Sequence, residues 1–273
     1  MNYYSQFIDM AHAYKIPIYF YGIGIGPFKE KAAEEYAITL LRKGEMIAVR
    51  DPNSFQFVKK HIDNEKISLI TDPAMCLKAV PPERRKQILK KEKLPSNYKL
   101  VGICLRPWFF KGKKEQELLK KIGQVGEELY KQYNVRFVLI PFSQYQGDIT
   151  LMKRVKQYLP KGSSYFINPK NKSSKYIQGL CSSLSLMIGM RLHSLILAAS
   201  QNVPVIGLSY DPKVNHFMRS IKQEQFLFSY NTVTNKQLLE SAQLILNGDI
   251  NKENYISTIQ NMKQKCLAKL SEA

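Results

Sequence analysis

One pattern narrows the possible folds of this chain more than any other. Short apolar segments, each long enough for a strand, alternate with amphipathic segments of helical period along nearly its whole length. Strand, helix, strand in that order builds a parallel sheet with helices on its faces, because parallel neighbours need a crossover longer than a turn. Residues 16–21, 46–50 and 68–71 read as strands of a first series, with helices over 29–43 and 54–61 between them. In a second series, strands over 100–106, 135–141, 164–167, 186–189 and 203–210 alternate with helices over 115–133, 149–159, 173–182, 191–199 and 214–221. Helices over 235–246 and 251–270 close the chain, and residues 1–14 read as a helix leading into the first strand. Around residues 80–97 the apolar period lapses and Pro81, Pro82 and Pro95 cluster about a basic helix, which marks a domain boundary. The expectation is an α/β protein with an N-terminal domain over 1–94 and a C-terminal domain over 95–273.

A chain of 273 residues with 44% apolar content can bury a large core, as two α/β domains or one. Its formal net charge of +19 is unusual. The basic residues fall in four regions, 84–93, 111–121, 153–175 and 252–269, and none is interleaved with aromatics as a nucleic-acid groove would be. Solvated lysine-rich faces account for such a charge, and so do an anionic substrate or an anionic membrane surface. Cys76, Cys104, Cys181 and Cys266 are too dispersed for a zinc site and read as reduced core thiols of a cytoplasmic protein. The N-terminus lacks the basic and apolar regions of a signal peptide, and the apolar run 184–199 is short and interrupted by charge. A soluble protein, at most peripheral to a membrane, is expected. No HxxH, strand-end DxD or cysteine–histidine set suggests a metal.

Ligands of open parallel sheets bind beyond the carboxyl ends of the strands, and most unusual residues of this sequence fall there. Arg191 and His193 stand inside the apolar run 184–199, at a strand-to-helix junction. Burying a cation or an imidazole costs free energy unless something negative meets it. The amides of a helix start add partial positive charge, so the junction suggests a phosphate or carboxylate pocket. Lys213 follows the next strand and can reach the same mouth. Arg106 ends the first strand of the second series, either facing a cleft or stacking on Trp108, the only tryptophan. Arg50-Asp51 offers either a local ion pair with a helix cap at Asp51 or Asn53, or a guanidinium fork for an anion. Gly22-x-Gly24-x-Gly26-Pro27 is neither the dinucleotide fingerprint nor a Walker loop. It is a tight turn, or a place where Gly24 and Gly26 let an acceptor approach the backbone. Asp72-Pro73 reads as a strand terminator. His12, His61 and His216 read as helix-surface residues.

These blocks resemble the polysaccharide pyruvyltransferase family. The matching residues are Tyr21 to Pro27, Ala48-Val49-Arg50-Asp51, Thr71-Asp72-Pro73-Ala74, Gly189-Met190-Arg191-Leu192-His193-Ser194, and Ile206 to Lys213, all in family order. The last two blocks look like the bacterial cell-wall-anchoring branch. The resemblance implies two Rossmann-like domains facing across a cleft, as in glycosyltransferases of the GT-B type. It also implies transfer of a pyruvyl group from phosphoenolpyruvate (PEP) to a sugar of a cell-wall or exopolysaccharide, as a ketal, with release of phosphate. Arg191 and His193 match the family's PEP-pocket positions and carry the expected catalysis. Arg50 and Lys213 are counterparts of its other basic residues, and Arg106 is a looser match. PEP is then a co-substrate and no cofactor is expected. The partners are a saccharide acceptor, lipid-linked or free, and an anionic membrane face, without nucleic acid. The family normally opens with a βα unit carrying a GGG-x-x-GD-like loop, and this sequence starts after it, so an incomplete N-terminal domain is expected.

Two other readings use the same residues. A GT-B nucleotide-sugar glycosyltransferase would hold a diphosphate with Arg191 and Lys213. A non-catalytic polyanion- or membrane-binding module would depend on the net charge alone.

Overall fold

The structure, a computed structural model, describes residues 2–62, 64–107 and 112–272. Two compact units divide the chain, Met1–Cys76 with Gln260–Ala273, and Leu77–Ile259.

The first unit contains α1 (Asn2–Ala13), β1 (Tyr19–Ile23), α2 (Lys31–Leu41), β2 (Met46–Val49), α3 (Pro52–Lys59) and β3 (Ile67–Leu69). Its strands form a parallel sheet in the order β1-β2-β3. All four residues of β2 are buried, and the strand period of two divides them between two cores. Ile47 and Val49 join Leu41 and Val58 on one face. Met46 and Ala48 join Ile70 and Cys266 on the other. Pairing of β1 starts later than residue 16, because the chain leaves α1 through Lys15 at φ 56° and Pro17 has no N–H to donate. β1 also runs on through Gly22, where φ is +67° and a Cβ would lie 2.2 Å from Pro73 Cγ. Only glycine fits there, and the β1–β2 register shifts at this point. Tyr4, Phe7 and Met10 of α1 are exposed, as are Tyr14 just after it and Ile16 and Tyr19 beside the β1 edge.

The second unit holds α4 (Pro82–Lys91), β4 (Leu100–Cys104), α5 (Lys113–Tyr133), β5 (Arg136–Leu139), α6 (Asp148–Tyr158), β6 (Ser164–Phe166), α7 (Ser174–Cys181) and β7 (Leu186–Gly189). It continues with α8 (Leu192–Ala199), β8 (Val205–Ser209), α9 (Pro212–Ser220), β9 (Leu227–Ser229), α10 (Asn235–Asn247) and the start of α11 (Lys252–Ser271). Six parallel strands are ordered β6-β5-β4-β7-β8-β9. Numbered within the unit, this is 3-2-1-4-5-6, a doubly wound dinucleotide-fold order whose direction of winding reverses between β4 and β7. β4 and β7 are buried at every position, which explains their unbroken apolar runs: both faces of a central parallel strand are covered. α5 packs with α6 and α10, whereas α4, α7, α8 and α9 form a second chain of neighbours.

The boundary differs from the one read in the sequence. α4, assigned there to the N-terminal domain, belongs to the second unit, where Ile88 is 1% exposed and sits against Gly179 of α7. Ile88 is the one buried residue of this largely basic helix, and a single buried position carries no period. β9, three residues long, also escaped the pattern.

Candidate functional site

At the reversal point of the second unit, β4, β7 and β8 end side by side. Their ends carry Arg106, then Arg191 with His193, then Tyr210 with Lys213. The Gly189–Ser194 block makes the turn between β7 and α8. A Cβ on Gly189 would lie 2.5 Å from Ser194 Oγ and 2.8 Å from Leu195 Cδ2, so the glycine lets α8 close onto the strand. Ser194 is fully buried and its hydroxyl donates to the Arg191 carbonyl at 2.6 Å. Arg191 is the N-cap of α8, which places His193 in the first turn of the helix, where it is exposed. Gly189→Ala is expected to destabilise the protein by about 1–3 kcal/mol through overpacking, read as a lower denaturant midpoint at unchanged slope.

The negative charge that meets Arg191 is Asp148, the first residue of α6 and fully buried. The Arg191 Nε donates to Asp148 Oδ2 at 2.9 Å and Nη2 bonds the other carboxylate oxygen. Asp148 Oδ2 also accepts from the backbone N–H groups of Phe142 (3.2 Å) and Ser143 (3.0 Å). Arg191 Nη1 donates to Gln146 Oε1 at 2.6 Å. The two-point pair fixes the plane of the guanidinium. Nη1 and Nη2 each keep one N–H that these bonds do not use. Arg191 is therefore a rigid, charge-compensated donor, and its burial does not require a bound anion.

Arg106 Nη1 donates to the Tyr210 hydroxyl at 2.6 Å, with the guanidinium carbon 5.1 Å from the ring centroid. β7 lies between the two strands that these residues follow, so the bond spans the end of β7. Trp108, the stacking partner read from the sequence, lies outside the described residues. Lys213 Nζ is 3.1 Å from Asp211 Oδ2, and Asp211 caps α9 by accepting the Lys213 N–H at 3.0 Å. Cys104, at the end of β4, is fully buried, and burial, helped by Asp148, pushes its thiol up to about 12. It stays protonated at neutral pH and is no rival nucleophile. From sequence, Asp148, Gln146 and Tyr210 fall in the strand-end segments 141–148 and 210–213 but receive no role.

The remaining candidates lie in the first unit. Arg50 Nη1 donates to Asp72 Oδ2 at 2.6 Å, with Asp72 9% exposed. Asp72 also accepts the Ala74 N–H at 3.0 Å, so it anchors an arginine as well as ending a strand. Asp51 is the cap of α3, accepting the Ser54 N–H at 2.9 Å and the Ser54 hydroxyl at 2.7 Å. Ser54 Oγ in turn accepts the Ile25 N–H at 2.7 Å, tying the glycine turn to α3. Gly24 lies against the Arg50 side chain, with Nε 3.2 Å from where a Cβ would stand, and Gly26 is exposed at φ +76°. The first unit thus gathers Gly24 and Arg50, and the second gathers Arg106, Arg191, His193 and Lys213.

Among the described residues no helix is long and apolar enough to cross a membrane. No curated protein matches the sequence at a significant level. Solved structures do match the fold. UDP-GlcNAc 2-epimerase from Methanocaldococcus jannaschii is 14% identical with a TM-score of 0.65, covering 97% of this chain and 73% of that one. The Neisseria meningitidis UDP-GlcNAc 2-epimerase bound to UDP-GlcNAc is 16% identical with a TM-score of 0.60, covering 97% and 72%. Anabaena HepE in complex with UDP-glucose is 12% identical with a TM-score of 0.61, covering 97% and 75%. At such identities the likeness concerns the fold, an α/β architecture of parallel sheets shared with GT-B-type proteins. The sequence profile of the family described as Polysaccharide pyruvyl transferase matches residues 1–212. That span contains the glycine turn, both strand-end arginines and the His193 junction, and the chain belongs to the polysaccharide pyruvyl transferase family.

Proposed function

We propose that this protein transfers a pyruvyl group from PEP to a sugar of a cell-wall or exopolysaccharide, forming a pyruvate ketal and releasing phosphate. The observation that carries the reading is the family match across residues 1–212, which includes Arg106, Arg191 and His193 of the second unit and ends just before Lys213. PEP carries a carboxylate and a phosphate and needs several positive groups. Arg191 supplies its two uncommitted N–H groups in a fixed plane, and the first amides of α8 point the same way as an anion-binding helix start. Arg106 and Lys213 flank that helix start from the neighbouring strand ends. In the first unit Arg50, with the backbone at Gly24 and Gly26, is assigned to the acceptor.

In the proposed reaction His193 gives a proton to the PEP methylene carbon, which becomes the methyl group, and positive charge develops at C2. A sugar hydroxyl adds to C2, and its proton returns to His193. The bond from C2 to the phosphate oxygen then breaks, and a second hydroxyl closes the ketal while its proton leaves with phosphate. An imidazole suits this exchange because it titrates near neutral pH and the same group serves as acid and then base. No cofactor beyond PEP is invoked. The net charge of +19 supports a cytoplasmic protein in peripheral contact with an anionic inner membrane face, where a lipid-linked acceptor would be met.

PEP is expected to raise the melting temperature, by about 2.7 kcal/mol of stabilisation at a hundredfold excess over its Kd, while UDP does not. PEP with a saccharide acceptor is expected to release inorganic phosphate. Stabilisation by UDP without PEP would point instead to a nucleotide-sugar glycosyltransferase.

A further inference from the structure

Between α4 and the start of α7 lies a cavity of about 260 Å³. Its α4 wall consists of Arg84, Gln87, Ile88 and Lys91. These follow the spacing i, i+3, i+4, i+7, which puts them in one stripe of the helix. Asn171, Ser173 and Tyr176 form the opposite wall. No lining residue is acidic. Arg84 Nη1 donates to Gln87 Oε1 at 3.1 Å, and Lys91 Nζ stands 5.7 Å from the Tyr176 ring centroid.

The acid next to Lys91 in sequence, Glu92, is already committed. It accepts from Lys172 Nζ and from the Tyr176 hydroxyl, with Glu92 and Lys172 side chains only 11% and 12% exposed. Glu92 therefore leaves Arg84 and Lys91 uncompensated, and neither forms an ion pair among the described residues. Ser173 caps α7, its hydroxyl accepting the Tyr176 N–H at 3.2 Å, so the preceding amides of that first turn lack helical acceptors and add partial positive charge. Lys90 precedes Lys91, and Lys170 and Lys175 adjoin Asn171 and Tyr176 in the chain; a concave site in a basic segment concentrates anions. The uncharged part of the lining has amide donors and acceptors at Gln87 and Asn171 and an apolar floor at Ile88, 1% exposed. That combination suits hydroxyls and a C–H face. The volume exceeds what phosphate alone needs and falls below the range of about 300–1,000 Å³ for larger ligands.

We infer that the α4–α7 cavity binds a phosphorylated saccharide unit, with the phosphate between Arg84, Lys91 and the first turn of α7, and the sugar against Gln87, Asn171 and Ile88. None of its lining residues is one assigned to PEP, and its test does not depend on turnover.

Titration calorimetry with N-acetylglucosamine 1-phosphate, inorganic phosphate and N-acetylglucosamine decides it. The sugar phosphate is expected to bind more tightly than either fragment. Arg84→Ser with Lys91→Ser is expected to weaken it by at least about tenfold, equivalent to about 1.4 kcal/mol. The control pair Arg85→Ser with Lys86→Ser removes the same charge from α4 outside the cavity and is expected to change affinity by less than about twofold. Equal loss in the control would reduce the site to a diffuse basic patch and overturn the inference. Equal affinity for phosphate alone would remove the saccharide from it. Undiminished binding by the first pair, with its melting temperature intact, would place the ligand elsewhere.

Discussion

His193→Ala is expected to lower PEP-dependent phosphate release by about a hundred- to ten-thousandfold, the usual worth of a positioned general acid. The melting temperature should hardly move. His193 is exposed in the first turn of α8, so truncating it opens no cavity, and substitutions of that kind stay within about 0.5 kcal/mol. The contrast between the two readouts carries the test. Near-normal turnover would remove His193 from the chemistry. A large fall in melting temperature would make it a structural residue of the helix start.

Asp148→Ala is expected to act in the opposite sense, with stability suffering first. It leaves the Arg191 guanidinium, 14% exposed, without its carboxylate, and also strands the N–H groups of Phe142 and Ser143. Breaking a buried pair by removing one partner costs about 3–5 kcal/mol, because the remaining charge is uncompensated. At about 2–4 °C per kcal/mol for chains approaching this size, the melting temperature should fall by about 10 °C. Asp148→Asn combined with Arg191→Met gives the decisive cycle: the double variant should lose less than the sum of its parts by at least about 1 kcal/mol. Additive losses would mean that the two side chains stabilise the fold independently. Donor binding should weaken along with stability in the Asp148 variants, because the guanidinium plane presented to a ligand is set by this carboxylate.

Much of the scaffold was legible in the residue pattern. β4 and β7 announce themselves as unbroken apolar runs because both of their faces are covered, and β2 because its two faces feed two small cores. Asp51 marks its own helix start, since a short acidic side chain before Pro52 has a backbone N–H within reach. β9 did not show, although β3 and β6 are equally short: it follows a single helical turn at Glu224–Phe226 and has no amphipathic helix directly before it to mark the strand. α4 was assigned to the other unit, since Ile88 is its one buried apolar residue and the ties of Glu92 to Lys172 and Tyr176 are tertiary.

The candidate site divides along a similar line. Sequence by itself determined the class of fold, the family, and the positions at which chemistry can occur, because strand ends and glycine-enforced close approaches are written in local residue order. Gly189 is such a position, excluded from bearing a side chain by Ser194 Oγ within the same turn, whereas Gly22 is kept small by Pro73, which only the tertiary structure brings near. What Arg50 and Arg191 do with their charge was decided by tertiary structure alone. From sequence, Arg191 suggests an external anion, and Arg50 either an anion or a local ion pair. Each meets a carboxylate of its own unit, Asp72 for Arg50 and Asp148 for Arg191, the latter 43 residues away in the chain. Coulombic compensation depends on distance in space and on local dielectric, and neither follows from separation along the chain. The residues that make the two arginines affordable to bury therefore appear only once the strands are placed side by side.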